Sequence, residues 1–479
     1  MTAAPPASQP ASDDVAYDPA SFRDPGARVF ERDGRLFRAL SQHATEDFVW
    51  LRDRGIVGRL IQAGHLVPTA EISPVTVGLD PGRVPLVLEH ERVPFVSYPY
   101  EWPFSALQAA ALFHLDLHLS LLDQDATLAD ASAYNVQFQS GMRPVFIDVP
   151  SVRRYRAGEA WAGHRQFCEQ FLNPLLLSAR RGIAFNGWYR GAMEGIPVGQ
   201  LAKLLTWRDK VSWRVLLHII APARLQQSAR SQGLAARASS RRPTLPKRSL
   251  VHLLSGLRTW IAGLTLRPDV DGEWTAYSTT HTYTDEELLA KQGFLADFIG
   301  AHHPRLALDV GCNTGDYAAL ALSEGAHAVV GLEPDAATAD RAFHRAATGG
   351  LTFLPLVMDA ADPSPARGWR EQERRSLSQR AAFDALLALA FEHHLAIARN
   401  VPLDQLVEWL TKLAPRGVIE FVPKTDPTVQ RMLALRDDVF DGYSLSAFTG
   451  LLSARSRIVR QQIVSSSGRV LFWYECERR

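Results

Sequence analysis

Ten residues constrain this chain more than any others: Leu306-Ala-Leu-Asp-Val-Gly-Cys-Asn-Thr-Gly315. Leu306 to Val310 is short and apolar, as a buried strand is, and it runs into a turn punctuated by glycine. Asp316 to Glu324 then carries helical spacing. A strand, a tight glycine turn and a helix N-terminus leave backbone N–H groups pointing outward, and glycine lets a ligand approach the main chain. A second apolar strand, Ala328 to Leu332, ends in Glu333, 18 residues after Gly315. In a βαβ unit that places a carboxylate at the tip of the neighbouring strand, within reach of a ribose diol.

The segment Asp309-Val-Gly311-Cys-Asn313-Thr-Gly315 resembles the S-adenosyl-L-methionine motif of class I methyltransferases, an acid followed by three alternate glycines. Asn313 stands at the middle glycine, and Asn tolerates unusual backbone angles better than most residues. The nicotinamide fingerprint Gly-x-Gly-x-x-Gly is not matched. The resemblance implies a Rossmann-like seven-stranded sheet over about 280–479, with Asp309, Gly311, Asn313, Gly315 and Glu333 around the cofactor. It also implies a third strand, Leu351 to Met358, whose following Asp359 accepts from the adenine amine. The fifth strand, Gly417 to Pro423, contains Glu420, and a closing hairpin, Ile458 to Val464 with Arg469 to Cys476, adds antiparallel strands to a parallel sheet.

The loop after the fourth strand, Phe383 to Ala390, would face the transferred methyl. It reads Phe391-Glu392-His393-His394-Leu395, not the Asn/Asp-Pro-Pro-Tyr of many nitrogen-modifying relatives. A histidine near neutral pKa suits a general base, so His393 or His394 is the candidate base and Glu392 its orienter. The other reading is a hydrogen-bonding pair at a helix start. Ala-Leu-Ala-x-x-His-His-Leu with Asn400-Val-Pro402-Leu403 resembles a bacterial subset of these enzymes with an N-terminal extension, some associated with glycan-decorated or nodulation signals. Before the motif, Trp274 to Tyr283 and a helix from Asp285 hold Tyr283 and Lys291, which by resemblance bind the methionine carboxylate or gate the acceptor. Packing and solvation are their plainer roles.

Across 479 residues the prior is two domains, and 46% hydrophobic with 22% charged residues is a globular composition. A net charge of +1 gives no whole-chain case for nucleic acid. Three scattered cysteines, Cys168, Cys312 and Cys476, match no zinc or disulfide spacing and fit a reducing, cytoplasmic setting. Residues 1–26 read as a disordered tail.

The N-terminal half holds Asp130, Asn135 five residues on and Asp148 after an apolar strand. This resembles a protein-kinase catalytic loop, in which one Asp faces the acceptor and Asn with a second Asp holds Mg on the phosphates of ATP. It implies an α+β kinase-like domain over 27–209. The departures are many: no glycine-rich phosphate loop, no lysine before Lys203, no His-Arg ahead of Asp130, and Val-Pro after Asp148. An arginine could replace the lysine, and the sequence nominates none. The plainer reading is a turn between a helix and a hairpin, with Asp148 as a helix cap or salt-bridge partner. Within this half, Asp33-Gly34 predicts a hairpin and Thr45 a cap for a helix to about Ala63. His114 and His118 at i, i+4 could hold a metal, or lie on a partly exposed helix face.

Residues 210–271 form a basic linker with a helical segment; between Lys210 and Pro268 there is no acid. Ala221 to Arg248 reads as a mobile loop. Val251 to Leu266 has the character of an interfacial helix, giving weak membrane-surface contact, or of a docking helix. Pro363 to Gln379 reads as an exposed charged excursion. The chain as a whole is expected to be a methyltransferase of domain 272–479, acting on an O, N or S nucleophile of a small molecule, glycan or carrier-bound metabolite. The alternatives are a bifunctional kinase–methyltransferase and a non-catalytic cofactor-binding protein.

Overall fold

The computed structural model describes residues 15–222, 244–267, 283–434 and 436–477. The first residues of the tail, most of the Ala221–Arg248 loop and Trp274 to Thr282 lie outside them. Order begins earlier than Ala27. Tyr17 bridges to Phe30 and packs its ring edge on it, and the Asp18 side chain caps a short turn at Pro19–Ser21.

The chain is mixed α/β. Strands β1 (Ala27–Arg32) and β2 (Arg35–Leu40) form the expected hairpin. Asp33 at φ 52° and Gly34 at φ 73° supply the two left-handed residues that such a turn needs. Ser41, not Thr45, caps the next helix, and Gly55 at φ 67° splits it into α1 (Gln42–Asp53) and α2 (Ile56–Gln62). With β3 (Thr69–Ile72) and β4 (Leu86–His90), the hairpin completes an antiparallel sheet of order β1-β2-β4-β3.

Helix α3 (Phe104–Asp123) follows and is long and apolar enough to cross a membrane. Leu107, Ala110, Ala111, Leu115, Leu117, Leu121 and Leu122 are nonetheless buried in the core, as befits a central helix. His114 and His118 are fully buried, not half-exposed, and burial pushes them down to about 4 and about 3. His118 hydrogen-bonds Thr127 at 2.8 Å. Two small pairings succeed it: β5 (Ala126–Leu128) with β8 (Val152–Arg154), and β6 (Val136–Gln139) with β7 (Arg143–Phe146). Helix α4 (Asn173–Arg181) continues a helix begun at His164 through a π-type turn.

Helix α5 (Lys247–Ala262) falls in the basic linker. Its apolar side chains Leu250, Leu254, Leu257, Trp260 and Ile261 are buried, and the helix packs against α3. That overturns the interfacial reading, because the face a membrane would take is already covered.

The C-terminal half is a seven-stranded sheet of order β11-β10-β9-β12-β13-β15-β14. Its strands are β9 (Ala307–Val310), β10 (Val329–Glu333), β11 (Phe353–Val357), β12 (Ala385–Ala388), β13 (Arg416–Phe421), β14 (Arg457–Ile463) and β15 (Val470–Glu475). The first five run parallel, and β15 is antiparallel to both β13 and β14. β9, β10 and β12 are buried residue after residue, which requires cover on both faces. Helices α6 (Asp285–His302), α7 (Asp316–Ser323), α8 (Ala336–Thr348), α9 (Leu403–Leu413), α10 (Pro427–Leu433) and α11 (Leu445–Ser453) accompany it. The chain leaves β9 toward β10 on one side, while β12 lies on the other, so a crevice-forming switch point falls at the carboxyl ends of β9 and β12.

The two halves share one core. Phe95 stacks on Phe383, Phe138 meets Phe343 edge-on, and the Gly141 N–H donates to the Leu351 carbonyl at 2.9 Å. Ser105 donates to Asp340 from its backbone N–H at 2.7 Å and from its hydroxyl at 3.0 Å. The stretch Pro363 to Gln379 is largely exposed, as expected, but it is anchored to this junction at three buried residues. Ser364, Glu373 and Leu377 are buried, and Arg380 donates to the buried Glu101 at 2.9 Å. Arg23 reaches Glu373 and Arg375 reaches Asp18. Some of its charges meet opposite charges across the junction while staying partly in water.

Candidate functional site

The glycine turn adopts the backbone that its residue types allow. Gly311, Asn313 and Gly315 all take positive φ, at 75°, 49° and 84°. A Cβ on Gly315 would lie 2.3 Å from the Phe353 ring, and one on Gly311 would lie 3.1 Å from Phe391. The first glycine therefore lets the loop after β12 lie against the turn.

Asp309 ends β9 with a buried carboxylate whose Oδ2 has no partner among the described residues. Burial raises it to about 7, against the pull of the Lys291 ammonium. Glu333 ends β10 and accepts from the backbone N–H of Asn313 and of Asp335, each at 3.0 Å. Burial outweighs those donors and holds it near 7 as well. Each oxygen keeps a further lone pair for a hydroxyl donor. Asp359, beyond β11, is partly exposed and paired with Arg399 at 2.9 Å.

After β12, Ala390 turns at φ 51° and the chain crosses the strand ends. Glu392 is fully buried; it accepts from the Val422 N–H at 2.8 Å and the Tyr443 hydroxyl at 2.6 Å. Its other oxygen lies 3.3 Å from His393 Nδ1. His393 is buried too, and its Nε2 has no partner among the described residues. The His394 ring stands 4.3 Å away, and burial, helped by His393 and Arg469, holds it down to about 3. The Glu392 carboxylate orients His393 through its Nδ1.

Lys291 and Tyr283 meet at Glu420. Lys291 Nζ sits 2.6 Å from Glu420 Oε2, with the two side chains 2% and 0% exposed. The Tyr283 hydroxyl donates to Glu420 and accepts from Arg469 at 2.8 Å. Arg469 in turn holds Asp426 at 2.7 Å, and Asp426 falls to about 2: burial would raise it, and the hydrogen bonds from Arg469 and Ser467 outweigh that. Glu420 likewise ends below its ordinary value, because the Lys291 and Arg469 charges overcome its burial. Arg469, Asp426 and Tyr443 were not candidates from sequence. The one signal was a basic residue, Arg469, opening an otherwise apolar strand.

In the N-terminal half, Asn135 Nδ2 donates to Asp130 and Asp148, each at 3.2 Å, so the three spaced residues do converge. The Ser151 hydroxyl bonds both carboxylates, and Arg38 of β2 forms an ion pair with Asp148. Arg38 and Ser151 escaped the sequence reading. Burial and the neighbouring Asp148 raise Asp130 to about 7.

Fold and geometry together define a two-part α/β protein: a Rossmann-like sheet with a glycine turn and buried acids at its strand ends, fused to an N-terminal α+β unit. The chain is 45% identical over 455 residues, 95% of each chain, to nodulation protein NoeA of Rhizobium meliloti (strain 1021). It belongs to the family of that protein. No family model matches. Solved structures it overlaps include N-methyltransferase NodS from Bradyrhizobium japonicum WM9, at 11% identity over 40% of this chain and 98% of that one, TM-score 0.30. Another is geranyl diphosphate C-methyltransferase from Streptomyces coelicolor A3(2), at 15% identity over 40% and 77%, TM-score 0.30. Overlaps this slight carry no argument about activity.

Proposed function

We propose that the C-terminal half transfers a methyl group from S-adenosyl-L-methionine to an O, N or S nucleophile of a small molecule, glycan or carrier-bound metabolite. The observation that carries this is Asp309. A buried carboxyl group with an oxygen unpartnered among the described residues, beside a positive-φ glycine turn at a switch point, calls for a cationic or donor-rich ligand. Asp309 would hold the cofactor's ammonium, Glu333 its ribose diol and Asp359 its adenine amine. Gly311, Asn313 and Gly315 form the cradle, while Tyr283 and Lys291 line the methionine end.

The cofactor supplies a methyl on a positively charged sulfur, which leaves as a neutral thioether. The chain's own residues position the reactants and remove a proton. Glu392, clamped by the Val422 N–H and the Tyr443 hydroxyl, holds His393 by Nδ1. That would leave His393 Nε2 to take the acceptor's proton. The relative's name ties that protein to nodulation, and we carry that over as the setting in which to seek the acceptor.

The test is calorimetric titration of S-adenosyl-L-methionine into the whole protein beside an Asp309→Asn/Glu333→Gln variant. Binding that is lost in the folded variant supports the assignment. A folded wild-type protein without affinity overturns it.

The N-terminal half we read as a kinase-like scaffold that does not phosphorylate. What favours this is the convergence of Asp130, Asn135 and Asp148 with their oxygens already met by Arg38 and Ser151. ATP turnover abolished by Asp148→Ala would instead establish a bifunctional enzyme.

A further inference from the structure

We propose that His164, Cys168 and His218 form a site for one zinc ion, away from the strand-end site. His164 and Cys168 stand four residues apart on one continuous helix and so share a face. His218 comes from a second helical segment, Leu216–Ile220, which crosses them. The three ligand atoms lie within 4.8 Å of one another. His164 Nε2 is 3.0 Å from His218 Nδ1, and Cys168 Sγ is 3.8 Å from His164 Nε2. A tetrahedral zinc with ordinary bond lengths requires about 3.3 Å between nitrogens and about 3.6 Å between sulfur and nitrogen. Two edges of the triangle lie within a few tenths of an ångström of that geometry, and the third, between Cys168 and His218, is at most 4.8 Å and closes on binding.

The electrostatics suit a cation that brings its own charge. Burial holds His218 down to about 4 and His164 below its ordinary value, so both rings are neutral and carry a lone pair near pH 7. With two ring nitrogens facing each other, only one proton fits between them, and a metal would accept from both. Arg214 is the charged group that acts on His218, and it too disfavours a protonated ring. Cys168 is fully buried, and burial pushes its thiol well up. Zinc would bind it as the thiolate: the S–H bond breaks, an S–Zn bond forms and one proton leaves to solvent. Two imidazoles and a thiol select a borderline-soft ion over magnesium or calcium.

A cavity of about 200 Å³ opens onto the two histidines and is lined by Trp161, Leu217, Leu245 and Leu253. It leaves room for a water as fourth ligand. Leu253 lies on α5, and the His218 ring is 6.0 Å from that of Trp260 on the same helix. The ion would thus pin the segment around 213–222, and α5 against it, to the body of the N-terminal half.

The test uses the whole protein, stripped with a chelator and titrated with Co(II) and then Zn(II). One equivalent of Co(II) should give a thiolate-to-cobalt charge-transfer band with the strong visible bands of four-coordination, and Zn(II) should displace it. Zn(II) should also raise the melting temperature. Cys168→Ser should lose the charge-transfer band, and His218→Asn should weaken zinc binding by more than the about 10–100-fold that loss of an outer-shell partner costs. The far-UV circular dichroism spectrum and a cooperative thermal transition serve as the check that each variant is folded. If a variant does not fold, the wild-type cobalt spectrum decides alone. A stripped, folded wild type without that spectrum, zinc affinity unchanged in both variants, or uptake of Cu(I) but not Zn(II) would each overturn the proposal.

Discussion

Lys291→Met is the most informative single change. It removes the ammonium 2.6 Å from Glu420 and leaves a carboxylate that is 0% exposed. At an effective dielectric constant near 20, that attraction is about 6 kcal/mol. Arg469 stands 3.9 Å off and is already committed to Asp426. Glu420 has a cheaper course, which is to take up a proton. From an ordinary value of 4.5 this costs about 3 kcal/mol at pH 7, at about 1.36 kcal/mol per unit, and under about 1 kcal/mol at pH 5. The cheaper course sets the loss. The sign follows: the lone acid's folded pKa rises above its unfolded value, so the variant's deficit is present near neutral pH and fades as pH falls toward 4.5. Thermal unfolding should show a melting temperature lower by about 6–12 °C at pH 7 for a domain of this size, and a much smaller gap at pH 5. Glu420→Gln in the Lys291→Met background should recover most of the loss. A deficit below about 1 kcal/mol at pH 7, or an equal deficit at both pH values, would refute the reasoning.

Four further outcomes follow. A ribose diol favours ionised Glu333, which sits near 7 in the free protein; cofactor binding should therefore release protons around pH 7 and weaken as pH falls to 6, read as buffer-dependent heat in calorimetry. His393→Ala should lower turnover by about 10²–10⁴-fold while cofactor affinity holds, and His394→Ala should lower it far less; equal losses would remove His393 from the base role. Gly315→Ala puts a Cβ 2.3 Å from Phe353 at a φ of 84° and should abolish cofactor binding, and trimming Phe353 should not fully restore it because the backbone strain of about 1–3 kcal/mol remains. Arg380→Ala leaves Glu101 buried without its cation and should cost about 3–5 kcal/mol, with the unfolding of the two halves separating in a denaturant titration.

The local parts of this protein are written in short stretches of chain. The strand from Leu306 to Val310, the glycine turn and Glu333 are legible because burial on both faces, positive φ and a strand-tip acid each leave a mark within a few residues. The Asp33-Gly34 hairpin is legible for the same reason. Even there the reading slipped where two neighbours competed: Ser41 took the cap expected of Thr45, since its hydroxyl is the one that meets a free helix N–H.

What the tertiary structure decided is which distant charges meet. Arg38 and Asp148 lie 110 residues apart, and no local pattern joins them. Arg469 closes on Asp426 and Tyr283 only because β15 folds back antiparallel beside β13. The stretch Pro363 to Gln379 looked solvated because it is charged, and what its charges did not show is that Glu373 and the following Arg380 are tied to Arg23 and Glu101 across the junction. His218 completes its triangle with His164 and Cys168 across 54 and 50 residues of chain. Sequence periodicity reports which face of an element is buried. It does not report what that face is buried against, because a long-range contact depends on how separate elements pack, and that is fixed only when the whole core closes.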